Sequence, residues 1–197
     1  STFEAELDSW GWELWAYEDD GYAATVARDT TTSAEGAASA RVDVTQSQGV
    51  DWKVEFSPEA PIEIISGTEY TLSFWAKADA EHIIGATVQQ DQDPWKSYIA
   101  WEEIALSADW QHFELSGVAS GADTAAGLHF AVGARVGSVW FDDVRLQEGG
   151  RDVWRRDYAG GIALVNATAS EQTIPLGGTF RKIAGAQAPG VNDGSLV

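Results

Sequence analysis

The sequence predicts an all-β fold, a two-sheet β-sandwich of the jelly-roll type. Many short segments alternate apolar and polar residues, and turn clusters such as residues 57–61 and 120–123 separate them. Helical periodicity is nowhere sustained, because the Ala-rich stretches are short and interrupted by Gly. Short strands at fairly regular spacing are typical of sandwiches and barrels.

The predicted strands follow one another through the first 150 residues. They cover residues 39–45, 50–56, 70–78, 83–89, 98–105, 111–115, 127–132 and 138–146. The composition changes after residue 148, where Gly-rich phrases begin. We therefore expect a module over residues 1–148 and a linker plus short β segment over residues 149–197. That segment either packs on the jelly roll as a terminal strand set or begins a neighbouring β domain, truncated at residue 197, and we favour the second interpretation.

Composition excludes several classes of function. Residues 151–197 hold five basic and four acidic residues, so the first 150 residues carry 7 basic and 27 acidic residues, a net charge of −20. Such a field repels phosphate backbones and anionic polymers, which makes nucleic acid a poor partner but does not penalise a neutral polymer. The alternative is that the acidity only keeps the protein soluble or suits a salty habitat. The sequence contains no run of eighteen apolar residues, so no membrane span is predicted. Without Cys there is no disulfide, thiolate metal site or cysteine catalysis.

Motifs that would indicate an enzyme do not occur in the sequence. It contains no G-x-S-x-G, no H-E-x-x-H and no phosphate-binding Gly-rich loop. His82, His112 and His129 lie on separate predicted strands with no nucleophile motif beside them. A glycosidase needs two carboxyl groups about 5–9 Å apart, but with 31 acidic residues adjacent pairs are expected by chance. No catalytic site is therefore indicated by these residues.

Three phrases, at residues 67–78, 106–113 and 137–146, carry a resemblance to a known family. In this order and spacing they resemble the carbohydrate-binding modules of families 4, 9 and 22, and the resemblance extends over about residues 1–148. It implies non-catalytic binding of a neutral polysaccharide of the β-glucan, xylan or agarose type. It also implies a secreted, monomeric module that targets a parent glycoside hydrolase, the catalytic domain of the same polypeptide, to its substrate. Residues 149–197 are similar to the small β-sandwich that ends several glycoside hydrolases.

Aromatic residues indicate where a sugar would bind. Nine of the ten Trp precede residue 151, and Trp and Tyr rings stack on the apolar C–H faces of sugars while amides and carboxylates pair with the hydroxyls. Trp95 lies in a polar loop, where a core residue is unexpected. Trp52 matches a position that often faces the sugar in these modules, although its phase with Val54 and Phe56 also allows burial.

From these observations we expect a cleft with defined platforms and hydrogen-bonding groups. The stacking platforms are Trp52, Trp95 and Tyr98, helped by Trp12 or Trp15, with Trp75 on the cleft floor. The hydrogen-bonding groups are Gln89, Gln90, Asp91 and Lys96. Trp110 and Trp140 are expected in the core.

The resemblance also implies a structural Ca²⁺ that ties the first strand to a loop and to the final strand. The matching positions are Glu4, Glu35 and Asp142. Asp142 lies between the apolar residues Phe141 and Val144, and a buried carboxylate there is costly unless it is paired or coordinates a metal. The alternative is a set of ordinary surface acids, with Asp142 satisfied by turn amides.

Two other functions compete with polysaccharide binding. Jelly rolls also support lyases and glycosidases, so a polysaccharide-degrading enzyme is one alternative. A structural spacer domain with a blocked cleft is the other.

Overall fold

The computed structural model describes residues 3–174 and 176–197. The chain divides into two compact units, residues 1–150 and 151–197. No helix in the described part of the chain is long and apolar enough to cross a membrane.

The first unit is built from strands joined by short loops and 3₁₀ turns. Its strands are β1 (Trp12–Ala16), β2 (Ala23–Asp29), β3 (Ser39–Gln46), β4 (Val54–Pro58), β5 (Ile62–Ile64), β6 (Glu69–Ala78), β7 (His82–Gln90), β8 (Ser97–Leu106), β9 (Gln111–Val118), β10 (Asp123–Ala131) and β11 (Gly137–Glu148). Short 3₁₀ helices cover Leu7–Ser9, Glu18–Asp20 and Asp51–Lys53.

These strands form two antiparallel sheets that pack face to face. The six-stranded sheet has the order β1-β4-β10-β7-β8, with β5 paired to β10, and the five-stranded sheet has the order β2-β3-β11-β6-β9. Fully buried Phe residues fill the space between them. Phe130 of the first sheet contacts Phe141 and Phe74 of the second, with ring centroids 4.6 and 4.9 Å apart. The predicted all-β sandwich is confirmed.

The predicted strands all occur, but the prediction omitted β1, β2 and β5. Strands β1 and β2 lie at sheet edges, where one side of the strand has no partner and the apolar alternation is weaker. Residues 50–53 were predicted as the start of β4, yet Asp51–Lys53 forms a 3₁₀ turn. The Gly133 amide donates to the carbonyl of Asp51, and the Val132 amide donates to that of Val54. This turn sets the orientation of Trp52.

The second unit contains a hairpin of β12 (Val153–Tyr158) and β13 (Gly161–Asn166). Isolated bridges join Arg181 to Leu196 and Ala184 to Asp193. The assignment of residues 149–197 to a truncated neighbouring β domain stays a prediction.

Candidate functional site

A groove crosses the outer face of the six-stranded sheet, and the strand register explains it. Trp15 of β1 faces Glu55 of β4. Glu55 in turn faces Ala131 of β10, and Ala131 faces Gly85 of β7. Residues directly opposite one another in antiparallel strands share a face, so these four form a row across the sheet. Ala131 and Gly85 are small and are both covered by neighbouring side chains.

The groove consists of adjoining segments. One has a volume of about 340 Å³, and a second of about 310 Å³ shares Tyr17, Glu55 and Trp95 with it. A third, of about 280 Å³, adjoins the second at Pro58, Asp91 and Gly127. Five partly or largely exposed rings line the first two segments: Trp15, Tyr17, Trp52, Trp95 and Trp101.

Tyr17 and Trp52 form one wall of the groove. Their rings meet edge to face with centroids 5.6 Å apart. Lys53 Nζ lies 4.2 Å from the Tyr17 ring centroid and 4.3 Å from that of Trp52, and it also pairs with Asp20 at 2.5 Å. A cation held against both rings fixes their mutual orientation. The wall is therefore ordered before any ligand arrives.

Trp95 projects from the loop between β7 and β8. Its backbone adopts a left-handed conformation, with φ of 57°, and its amide donates to the carbonyl of Gln92. The Gln90 amide donates to the Lys96 carbonyl at 3.0 Å, and the Lys96 amide donates to Gln90 Oε1 at 3.3 Å. This closed loop leaves 52% of Trp95 exposed beside the groove.

Trp101 occupies a place that only Gly85 permits. A Cβ at Gly85 would lie 1.9 Å from the Trp101 indole, so the ring lies directly over the bare backbone of β7. A side chain at residue 85 would displace the ring. The glycine thus sets the depth of this end of the groove.

Polar groups form the floor between the aromatic walls. His129 of β10 is 5% exposed, with Nδ1 3.3 Å from Ser57 Oγ and 3.5 Å from Glu55 Oε2. Its Nε2 lies 3.5 Å from Asp91 Oδ1 and makes no hydrogen bond within the described residues. Burial lowers the pKa of His129, but the hydrogen bond and charge of Glu55, with the charges of Asp91 and Glu13, outweigh it, so the pKa is raised.

The structure brings part of the predicted site together. Trp15, Trp52, Trp95, Gln89 and Asp91 all line the groove.

The other predicted residues of the loop and the adjoining strand do not line these two groove segments. Gln90 and Lys96 close the loop that carries Trp95. Tyr98 is buried, and its hydroxyl donates to Asp123 Oδ2 at 2.8 Å. The prediction that Tyr98 is a stacking platform is therefore wrong. Register shifts in the β7–β8 pairing change which residues face the groove.

Two of the Trp residues that were expected in the cleft, Trp12 and Trp75, lie elsewhere. Trp12 packs inward, stacked on Phe56 with centroids 4.6 Å apart, because it shares its phase in β1 with Leu14 rather than Trp15. Trp75 is on the five-stranded sheet beside His112, and that sheet does not carry the groove.

Trp110 and Trp140 were expected in the core, but both are only partly buried. Lys77 Nζ lies 5.7 and 4.9 Å from their ring centroids. Trp140 alternates with the core residues Val139 and Phe141, so it faces outward.

The groove residues that the sequence interpretation missed include Tyr17, Glu55, Trp101 and His129. For Trp101 a signal existed, because it is out of phase with the core residues Ile104 and Leu106 of the same strand. His129 was recognisable as outward-facing between Leu128 and Phe130. Its partners Glu55 and Asp91 come from distant parts of the chain, and no local pattern predicts them.

The predicted metal ligands are brought together only in part. Asp142 is fully buried, and its Oδ2 accepts from the amides of Ala34 and Glu35, each at 2.9 Å. Glu4 Oε1 accepts from the amide of Ala37 at 3.0 Å in the same loop. Burial chiefly, and the charge of Glu4, raise the pKa of Asp142. Asp142 Oδ1 also accepts from the amide of Asp143 at 2.8 Å, so three backbone amides satisfy this buried carboxylate, as the alternative interpretation expects. The Glu35 side chain is exposed. Within the described residues no set of three or more His, Asp or Glu forms a metal cluster.

The profile of a carbohydrate-binding domain family, CBM_4_9, matches residues 1–137, well over half of the chain. The chain belongs to this family. The expected relationship to carbohydrate-binding modules is therefore confirmed for the first unit, which is a carbohydrate-binding module of this family. The similarity of residues 149–197 to a glycoside hydrolase sandwich stays a prediction. No curated protein matches the chain significantly.

Solved structures share the fold of this carbohydrate-binding module. A CBM4 structure is 26% identical, with a TM-score of 0.59, over 75% of this chain and 97% of that chain. The N-terminal cellulose-binding domain of the Cellulomonas fimi β-1,4-glucanase C is 20% identical, with a TM-score of 0.55, over 76% and 95%. The CBM22-1 xylan-binding domain of Paenibacillus barcinonensis Xyn10C is 11% identical, with a TM-score of 0.53, over 75% and 90%.

Proposed function

We propose that this module binds a neutral polysaccharide in the groove of the six-stranded sheet, without catalysis. The observation that carries the proposal is the set of exposed rings along one groove: Trp15, Tyr17, Trp52, Trp95 and Trp101. Indole and phenol rings stack on the apolar faces of sugar units. Gln89 and the carboxylates of the floor supply hydrogen-bond partners for the hydroxyl groups.

The charge of the groove favours a polymer without anionic groups. Glu13, Glu55 and Asp91 line it, and most of the net charge of −19 is carried by the same unit. A uronate or sulfate polymer would meet a repulsive field. The fold is shared with a cellulose-binding and a xylan-binding domain, which supports β-glucans and xylan as first candidates, with agarose as a third.

We further propose that the module targets a glycoside hydrolase in the same polypeptide to its substrate, as a secreted monomer. A related arrangement occurs in Clostridium thermocellum Xyn10B, whose CBM22-1 and GH10 modules were solved together with xylohexaose. That structure is 16% identical to this chain over 75% of it, with a TM-score of 0.53. Tethering raises the local concentration of the polymer at the enzyme, which is a gain of effective concentration rather than of chemistry.

Affinity electrophoresis tests the proposed ligand class. We expect retardation in gels cast with at least one of xylan, laminarin, mixed-linkage glucan and agarose, and none with alginate, a polyuronate. Retardation by the neutral polymer should hardly change between low and high ionic strength, because screening acts on charge–charge interactions.

The other outcomes separate the alternatives. Retardation by alginate that disappears at high salt would contradict the neutral ligand. Release of reducing ends from any retained polymer would favour an enzyme, and absence of retardation on every polymer would favour a spacer.

We also propose that Ca²⁺ binds at Glu4 and Asp142 and has a structural role. Both carboxylates are anchored to the loop that precedes β3, and burial, with the charge of Glu4, raises the pKa of Asp142 although three backbone amides donate to it. Ca²⁺ would neutralise the two carboxylates and prefers oxygen ligands of this kind. The ion would tie the N-terminal segment and β11 to the same loop.

Calcium at a hundredfold excess over its dissociation constant is expected to stabilise metal-stripped protein by about 2.7 kcal/mol. For a chain of this size that corresponds to a rise in melting temperature of roughly 5–10 °C, measured by scanning calorimetry with and without EDTA. Glu4→Gln should remove most of the response. Glu35→Gln is the matched control and should keep it, because the Glu35 side chain points to solvent. An identical melting curve in calcium and in EDTA would contradict the site.

A further inference from the structure

We propose that His129 binds the polysaccharide directly in its protonated form: Nε2–H donates to a sugar hydroxyl, and that hydroxyl donates its own proton to Asp91. The groove would then bind its ligand more tightly at acidic than at alkaline pH. The inference rests on the proposed function, because it concerns the same groove.

The position of His129 supports a role towards the ligand rather than the core. The ring is 5% exposed, yet it lines the groove next to Asp91 and Gly127. A Cβ at Gly127 would lie 2.5 Å from Nε2, so only a glycine fits against this atom, which is itself buried. Nε2 is the ring nitrogen that makes no hydrogen bond within the described residues, and a buried polar atom is costly unless it finds a partner.

The spacing between Nε2 and Asp91 suits a bridging hydroxyl. The two atoms are 3.5 Å apart, longer than a normal hydrogen bond of about 2.7–3.2 Å. A hydroxyl group both donates and accepts. Placed against both atoms, it would accept from Nε2–H and donate to the carboxylate, which gives both protein groups a charge-assisted partner.

The partners of Nδ1 determine which ring nitrogen of His129 loses its proton when the ring titrates. Nδ1 faces Ser57 Oγ and Glu55 Oε2. The hydroxyl can donate or accept, but the carboxylate only accepts, which favours a proton on Nδ1 in the neutral ring as well as in the charged ring. Titration therefore takes place at Nε2. In the neutral ring Nε2 and Asp91 are both acceptors, and a single hydroxyl can donate to only one of them.

The surroundings of His129 favour the charged ring. The charged groups that face it are Glu55 from β4, Asp91 from the loop after β7 and Glu13 from β1. On β7 the residue in register is Thr87, which carries no charge. The hydrogen bond and charge of Glu55, with the charges of Asp91 and Glu13, raise the pKa of His129 against the opposing effect of burial. Because Nε2 itself is buried, a hydroxyl reaches it when the Asp91 side chain, which is 59% exposed, turns aside.

The test is the pH dependence of binding. We expect the affinity of the native protein for the retained polymer among soluble xylan, laminarin and mixed-linkage glucan to fall by about tenfold as the pH rises through the His129 pKa, the loss expected for one charge-assisted hydrogen bond. His129→Gln should bind with a flat profile over pH 5.5–9, because its amide does not titrate. His112→Gln is the matched control on the other sheet and should keep the native profile.

A second measurement does not depend on a variant that folds. Binding and protonation are linked, so saturating polymer should raise the pKa of His129 in the native protein, followed by NMR of the imidazole. A flat native profile, a His129→Gln profile like the native one, or an unchanged pKa on saturation would each overturn the proposal while leaving polysaccharide binding intact. Absence of binding to these three polymers and to agarose at every pH would overturn the proposed function and this inference with it.

Discussion

Replacement of Phe130 by Ala is expected to lower the free energy of unfolding of the first unit by about 3–5 kcal/mol. Phe130 is fully buried and contacts Phe141 and Phe74 across the sandwich, with centroids 4.6 and 4.9 Å apart. Trp12 stacks on it from within its own sheet. Removing the ring opens a cavity that both sheets would have to close. Domains of this kind have only about 5–15 kcal/mol of stability, so the loss is a large fraction of the total.

Urea unfolding, followed by Trp fluorescence, measures this effect. Phe113→Ala is the matched control, since Phe113 is a partly buried ring of the edge strand β9 that stacks on Phe74. The decrease in the free energy of unfolding should be clearly smaller for Phe113→Ala than for Phe130→Ala. Equal losses for the two variants would contradict the position of Phe130 as the ring that joins the sheets.

The fold could be predicted from the sequence because most strands carry their own signal. In β6, for example, Leu72, Phe74 and Ala76 point into the core in strict alternation. The strands that were missed lie largely at edges, where burial on one side imposes less pattern. The 3₁₀ turn at Asp51–Lys53 was missed for another reason: its conformation is fixed by backbone bonds to distant residues.

The site could be predicted only where exposure follows from local context. Trp95 lies in a polar loop, and a polar loop cannot bury an indole, so its exposure was correctly inferred. Trp12 and Trp15 were treated as interchangeable, although their opposite phase in β1 separates them. His129 depends on Glu55 and Asp91, and this combination arises only when the sheet has formed. The groove forms only when the strands pair in register, so no single segment of the sequence predicts it.

Replacement of Trp95 by Ala is expected to weaken binding of the retained polymer by about 1–3 kcal/mol, roughly 10- to 100-fold. Trp95 lines both of the larger segments of the groove, so its ring contributes to stacking in each of them. The free energy of unfolding should hardly change, because the side chain is 52% exposed and the loop is closed by backbone bonds that the substitution keeps. Affinity electrophoresis and urea unfolding of the same variant measure the two effects separately.

Trp154→Ala provides the matched control for Trp95→Ala. Trp154 is similarly exposed but belongs to the second unit, so loss of its ring should leave retention by the polymer unchanged. Trp101→Ala should weaken binding less than Trp95→Ala, because Trp101 lines only the first of the two segments. Full retention of Trp95→Ala with loss in Trp101→Ala would confine the ligand to the end of the groove beside Gly85. Loss of retention in Trp154→Ala would place the binding surface outside the six-stranded sheet, and the groove would no longer explain it.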